Sequence, residues 1–212
     1  TTFSPVFDNE KSYSIGTVAI DPKNSNVIWV GTGENVSGRH VGWGDGVYKS
    51  VNGGKTWQNT GLENSQHISK FLIHPNNSNV IYVAVEGPLW SAGGDRGVYK
   101  TIDGGVTWKH VLNIDENTGV TDIEFAPDDP STIYAAAYQR RRSTWALLAG
   151  GPEGGIYKSS DDGVTWAKKK TGLPNGDIGK IGMAVTLADP NRIYATIEAS
   201  DKERGMYRSD DK

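Results

Sequence analysis

The chain has 212 residues, enough for one sizeable core, and no cysteine, which excludes disulfide frameworks and thiolate metal sites. Its formal net charge is −3 with no basic block beyond Arg140-Arg141-Arg142, unlike a general nucleic-acid binder. No apolar run approaches the length of a membrane span, and no signal peptide stands at the start.

In chain order, residues 1–12 read as the last strand and exit loop of a preceding repeat. A first full unit spans 13–64. Alternation in IGTVAIDP puts Val18 and Ile20 on one strand face, DPKNSN is a turn cluster, and Val27-Ile28-Trp29-Val30 is a second strand. A Gly-rich loop from Gly31 to Gly46 leads to a third strand, Gly46 to Ser50, and a fourth begins at Thr56-Trp57. The next unit, 65–116, copies this: Phe71 and Ile73 match Val18 and Ile20, HPNNSN matches DPKNSN, and Tyr82 matches Trp29. In 117–174 the same places hold Ile123, Phe125, the turn APDDPST and Tyr134. In 175–212 they hold Met183, Val185, a turn ending in Asp189-Pro190-Asn191, and Tyr194. No segment sustains a helical period.

One motif joins the third and fourth strands of each unit. It reads SVNGGKTW at 50–57, TIDGGVTW at 101–108 and SSDDGVTW at 159–166, and begins again at Ser209-Asp210-Asp211. Thr2-Phe3 reads as the tail of another copy. Asp or Asn followed by Gly between two β-rich runs is a hairpin signal. The Ser/Thr hydroxyl and the carboxylate can tie down backbone N–H groups, and the Trp can anchor the turn on the sheet. Asn52 replaces the acid in the first copy, which suits a turn-capping oxygen better than a catalytic acid. Asn52, Asp103 and Asp161 are therefore read as structural, with Trp57, Trp108 and Trp166 as anchors. Box tryptophans recur after 51 and 58 residues. Four antiparallel strands at that period predict an all-β fold, a β-propeller of four-stranded blades with the box turns between strands C and D. The reading favours part of a larger, tandem propeller, with a closed four-bladed ring as the alternative.

In such blades the box turns lie on one face and the B–C loops on the other. The B–C loops are 34–45, 87–96, 139–154 and a short one near 199–204. Trp43, Trp90 and Trp145 each fall in a different loop, alongside Arg39, His40, Arg96, Arg140, Arg141 and Arg142. Aromatic planes beside hydrogen-bonding side chains can stack on sugars or grip a peptide, or the tryptophans simply pin the loops. Glu34 with Asp45, and Glu86 with Asp95, flank the same loops. Such pairs are the minimum for glycoside hydrolysis, or else they are loop-end caps. His40, His67, His74 and His110 show no metal-ligand spacing, so no metal and no cofactor are expected. The sequons Asn35-Val36-Ser37 and Asn76-Asn77-Ser78 matter only in a secreted eukaryotic protein.

The boxes resemble the Asp-box, or BNR, repeats of sialidases, xyloglucan-cleaving glycoside hydrolases and sortilin-type propellers. The whole unit most resembles large bacterial sortilin-like or BNR-repeat "glycosyl hydrolase" proteins, over essentially the full chain. That resemblance implies tandem propellers in a longer, exported protein at an extracellular, cell-surface or periplasmic location. The arginine triad and Arg-Ile-Pro motif of sialidases have no match here. Where xyloglucan-cleaving enzymes place a catalytic Asp, this chain has Gly33-Glu34. The leading expectation is a non-catalytic recognition or scaffold module that binds glycan, peptide or protein on the B–C loop face. Its other partners would be further blades or domains of the same chain, with no nucleic acid and no membrane span. The alternatives are a glycoside hydrolase using Glu34, Asp45, Glu86 or Asp95, and a purely structural surface or assembly repeat.

Overall fold

The computed structural model describes residues 2–35 and 38–212, and among these the only regular elements are strands. The first sheet holds β1 (Ile15–Asp21), β2 (Asn24–Thr32), β3 (Val47–Ser50) and β4 (Gln58–Gly61) in that order. The second holds β5 (Ile68–Ile73), β6 (Ile81–Val85), β7 (Gly97–Thr101) and β8 (Lys109–Leu112). The third comprises β9 (Thr118–Ala126), β10 (Asp129–Arg142), β11 (Leu147–Ala149), β12 (Gly155–Ser159) and β13 (Ala167–Lys168). The fourth is β14 (Ile181–Val185), β15 (Ile193–Ile197) and β16 (Gly205–Ser209). All pairings are antiparallel, and the innermost strands β1, β5, β9 and β14 stand side by side. This is a β-propeller arrangement of blades.

Three apolar clusters fill the three spaces between sheets. Trp29 meets Phe71, Ile81 and Val83 in the first space, Tyr82 meets Ile123, Ile133 and Tyr157 in the second, and Tyr134 meets Met183, Ile193 and Ile197 in the third. A sheet covered on both sides needs apolar residues on both strand faces. Hence IYVAV of β6 is buried throughout and shows no alternation. Each fully buried aliphatic side chain here contributes about 1.5–3 kcal/mol.

The box is a self-contained turn. In the second copy, Thr101 Oγ1 accepts from Gly105 N at 2.9 Å, and Asp103 accepts from Thr107 N at 2.9 Å and from Thr107 Oγ1 at 2.6 Å. Asn52 accepts from Thr56 N at 3.0 Å and turns its amide to Thr56 Oγ1 at 2.8 Å. Gly105 has φ 91°, and a Cβ there would lie 2.7 Å from the Trp29 ring, so only glycine serves.

Each box also locks onto the blade before it. Lys49, Lys100 and Lys158 occupy the same place in β3, β7 and β12. They lie over Trp29, Tyr82 and Tyr134 at 4.8, 5.0 and 5.5 Å. Each then donates to a backbone carbonyl of the following box: Gly104 at 2.8 Å, Asp162 at 2.8 Å and Lys212 at 3.5 Å. Tyr82 donates to the same Asp162 carbonyl at 2.8 Å. Asp162 holds that carbonyl in place with φ 58°, a conformation Asp tolerates better than most residues.

Three expectations need correction. Residues 2–14 form turns and coil, with no strand. A strand exists only through pairing, and this segment packs instead over the first box: Phe7 sits edge-on to Trp57 at 5.1 Å, and Val6 O accepts from Trp57 Nε1 at 2.7 Å. In the next blade Thr60 O of β4 accepts from Trp108 Nε1 at 3.0 Å, so Val6 fills the place of an outer strand without forming one. Second, the likeness between the first two units does not extend to burial: Val18 and Ile20 share one face but are 58% and 57% exposed, because no sheet covers that side of β1, whereas Phe71 in the matching place is 7% exposed. Third, the loop expected over 139–154 is largely ordered. β10 runs on past β12 and folds back as β11, pairing Arg140, Arg141 and Arg142 with Ala149, Leu148 and Leu147.

Candidate ligand-binding face

The B–C loops begin where the second strand of each blade ends. In the second blade Arg96 is buried and threads its own loop. Its guanidinium donates to the carbonyls of Gly93 at 2.9 Å, Glu86 at 3.0 Å, Ser91 at 2.8 Å, and Pro88. Burial, helped by the charge of Arg141, pushes its pKa down to about 10, leaving it cationic at neutral pH. Arg140 on β10 donates to Glu86 at 2.6 Å, with both side chains 3% exposed. His67 is fully buried beside this pair, and burial pushes its imidazole below the ordinary value against the pull of Glu86.

Contacts between blades join the loops into one surface. Arg142 N donates to Leu89 O at 2.9 Å and Arg142 Nε to Gly38 O at 3.2 Å, so the third blade holds the loops of the second and first. Arg141 donates to Asn117 at 2.9 Å, and Lys180 Nζ reaches Asn35 O at 3.2 Å. On this surface Trp43, Trp90 and Trp145 are 62%, 40% and 89% exposed. Trp145 caps the β10–β11 hairpin, with Leu147 and Leu148 also exposed. Arg39 and His40 are exposed on the first loop. Between Trp43 and the second loop runs an open groove of about 510 Å³ lined by Trp43, Gly44, Glu63, Asn64, Gln66, Pro88, Ser91 and Gly94.

The Sortilin-Vps10 family model (sortilin, neurotensin receptor 3) matches residues 45–204. The chain belongs to that family. A xyloglucanase of Paenibacillus sp is 23% identical over 92% of this chain and 20% of its own length. A xyloglucanase of Acetivibrio thermocellus is 24% identical over 89% of the chain and 23% of its own length. The chain thus spans between a fifth and a quarter of these relatives. An ancestral GH74 enzyme superposes with a TM-score of 0.65 at 23% identity, over 100% of this chain and 24% of its own. The GH74 xyloglucanase from Xanthomonas campestris gives 0.66 at 18% identity, over 92% and 28%. At these identities the solved structures establish the fold alone.

Within this sortilin-family propeller the carboxylates expected as acid and base are held by other groups. Asp45 accepts from Tyr48 OH at 2.7 Å, and Asp95 from Tyr99 OH at 3.3 Å and Asn64 N at 3.1 Å. Glu153 accepts from Tyr157 OH at 3.0 Å, so this is a fastening repeated across blades. Burial, then Asp45, push the Tyr48 phenol up to about 12. Glu34 accepts from Gly42 N at 2.9 Å, closing its own loop, and Glu86 is buried on Arg140. Of the arginines read as ligand-binding, Arg96 and Arg140 are 3% exposed and turned inward, and Arg141 and Arg142 brace loops. Each lies near a loop, but its donors meet carbonyls or a carboxylate of the chain first. Of the sequons, Val36 and Ser37 lie outside the described residues, and Ser78 Oγ donates to Asp21 at 2.9 Å.

Sequence reasoning missed Glu63, Asn64 and Gln66. They come from the connection between β4 and β5, which is shorter than the B–C loops and carries no tryptophan. Leu62 and Gln66 in that connection adopt φ of 58° and 54°, uncommon for residues other than glycine. No Gly, Asn or Asp occupies those two positions to signal it.

Proposed function

We propose that this chain is a non-catalytic glycan-recognition part of a larger, exported multi-propeller protein, working through its B–C loop face. The observation that supports this reading is the exposure of Trp43, Trp90 and Trp145, each in a different B–C loop, with Arg142 bonded to Gly38 and Leu89 of the first two loops. Indole planes offer sugar rings a large apolar face at little conformational cost. Arg39 and His40, elsewhere on the first loop, are exposed donors. The xyloglucanase relatives favour a polysaccharide over a peptide as ligand. Units 13–64, 65–116, 117–174 and 175–212 are proposed as successive blades of one propeller.

Replacing Trp43, Trp90 and Trp145 together by Ala should abolish retention on a xyloglucan affinity gel while changing the unfolding free energy by only about 0.5 kcal/mol per exposed site. Unchanged retention would sink the reading. The hydrolase alternative is disfavoured by the engagement of Asp45, Asp95, Glu34 and Glu86 with tyrosines, a backbone amide and Arg140. Reducing ends released from xyloglucan by the purified chain, and lost in Glu34→Gln, would reinstate it.

A further inference from the structure

We infer that the groove between the first two blades is a subsite for one neutral sugar ring, recognised by Trp43, Asn64 and Gln66 and guarded against acidic sugars by Glu63. The inference rests on the glycan reading above and goes beyond it by naming the groove, its polar residues and the charge it accepts.

The groove combines the parts a pyranose needs. Trp43, an exposed aromatic residue, lines it together with Pro88, Ser91 and Gly94 of the second loop. Sugars present an apolar C–H face and a rim of hydroxyls that both donate and accept. Asn64 and Gln66 are among the lining residues, and a side-chain amide has both functions. Among the described residues neither amide is engaged by a protein partner, whereas their backbones are pinned. Asn64 N donates to Asp95 at 3.1 Å, Asn64 O accepts from Asp95 N at 3.2 Å, and Gln66 O accepts from Gly44 N at 2.8 Å. The Gln66 bond ties this connection to the residue after Trp43. Gln66 adopts a φ of 54° where it makes this bond, so its backbone is fixed relative to the residue after Trp43.

The charge of the lining sets the class of sugar. Glu63 is exposed and is the single charged residue among those lining the groove; Arg96 behind the second loop is buried, its guanidinium already donating to the carbonyls of Gly93, Glu86, Pro88 and Ser91. A uronic or sialic acid carboxylate would face that charge unpaired. A neutral ring instead gains a carboxylate acceptor for its hydroxyls, a charge-assisted hydrogen bond.

The test uses cellotetraose and trigalacturonate as neutral and acidic probes, with 1H–15N NMR and calorimetry on wild type, Asn64→Ala, Gln66→Gly and Glu63→Lys. Cellotetraose should shift the side-chain amide resonances of Asn64 and Gln66. Each single variant should weaken its binding by about five- to tenfold, the size of one lost polar contact. Trigalacturonate should bind only to Glu63→Lys, a gain that general loosening of the groove does not produce. Unshifted amides, unchanged affinity in both amide variants, or equal wild-type affinity for the two probes would each overturn the subsite. Loss of cellotetraose binding in the triple Trp variant alone would overturn the groove and keep the glycan reading. Binding of neither probe by wild type would overturn both.

Discussion

The carboxylate of the second and third boxes shows how one residue fastens a turn through both hydroxyls and a backbone amide. Asp161 is held down to about 2, first by the hydroxyl of Thr165, then by its amide and by Ser159. Asp103 lies lower still, through Thr107 and Thr101. Both folded values are below the unfolded one, near 4. The stabilisation is therefore complete above about pH 4 and is lost as pH falls towards 2 and below. Carboxyl 13C titration should find Asp161 ionised at pH 3. Asp161→Asn should flatten that acid dependence while keeping the turn, as Asn52 already does in the first box. The buried pair Glu86–Arg140 is a different matter. Arg140→Met would leave the Glu86 carboxylate at 3% exposure without that partner, and a loss of about 3–5 kcal/mol is expected in urea unfolding. Glu86→Gln with Arg140→Met should recover much of it.

Strands and turns carry the joins between blades. The lysine of β7 donates to the box of the third sheet and covers Tyr82 of its own, so one side chain links two elements. Lys100→Met keeps most of the apolar stem and removes the ammonium. It should cost about 1 kcal/mol by urea unfolding, the sum expected of a partly exposed bond and a weak cation–π contact. The same change at Lys158, whose bond is 3.5 Å long, should cost less. The β10–β11 hairpin shows the limit of pattern reading. QRRRSTWALLAG holds no alternation and no Asn-Gly turn, so nothing local announced that β10 would continue to Arg142 and return. Its pairing partners lie across a four-residue turn, and Leu89 and Gly38 meet Arg142 from other blades.

Across the whole molecule, equivalent positions differ by what covers them. Phe71 and Val18 share one register position on neighbouring inner strands, at 7% and 58% exposure. Phe71→Ala should cost about 3–5 kcal/mol, and Val18→Ala less than about 1 kcal/mol. Equal losses on chemical denaturation would mean that both sides of the first sheet are covered in solution. The repeat, the strand order and the box turns were legible in the amino-acid sequence because their causes are local. A box closes its bonds within eight residues, and strand alternation repeats every two. The loop positions of Trp43, Trp90 and Trp145 were legible too, as large side chains outside any strand pattern, but their exposure was not, since a loop tryptophan can equally pin its loop. The fate of the charged residues was decided only by tertiary structure. Arg96, Arg140 and Glu86 look like a binding set in sequence, yet they are buried. Arg140 finds its partner 54 positions away, and Arg142 finds Gly38 104 positions away. Long side chains take whichever carbonyl or carboxylate the packed blades bring within reach, and no pattern in one strand encodes that distance.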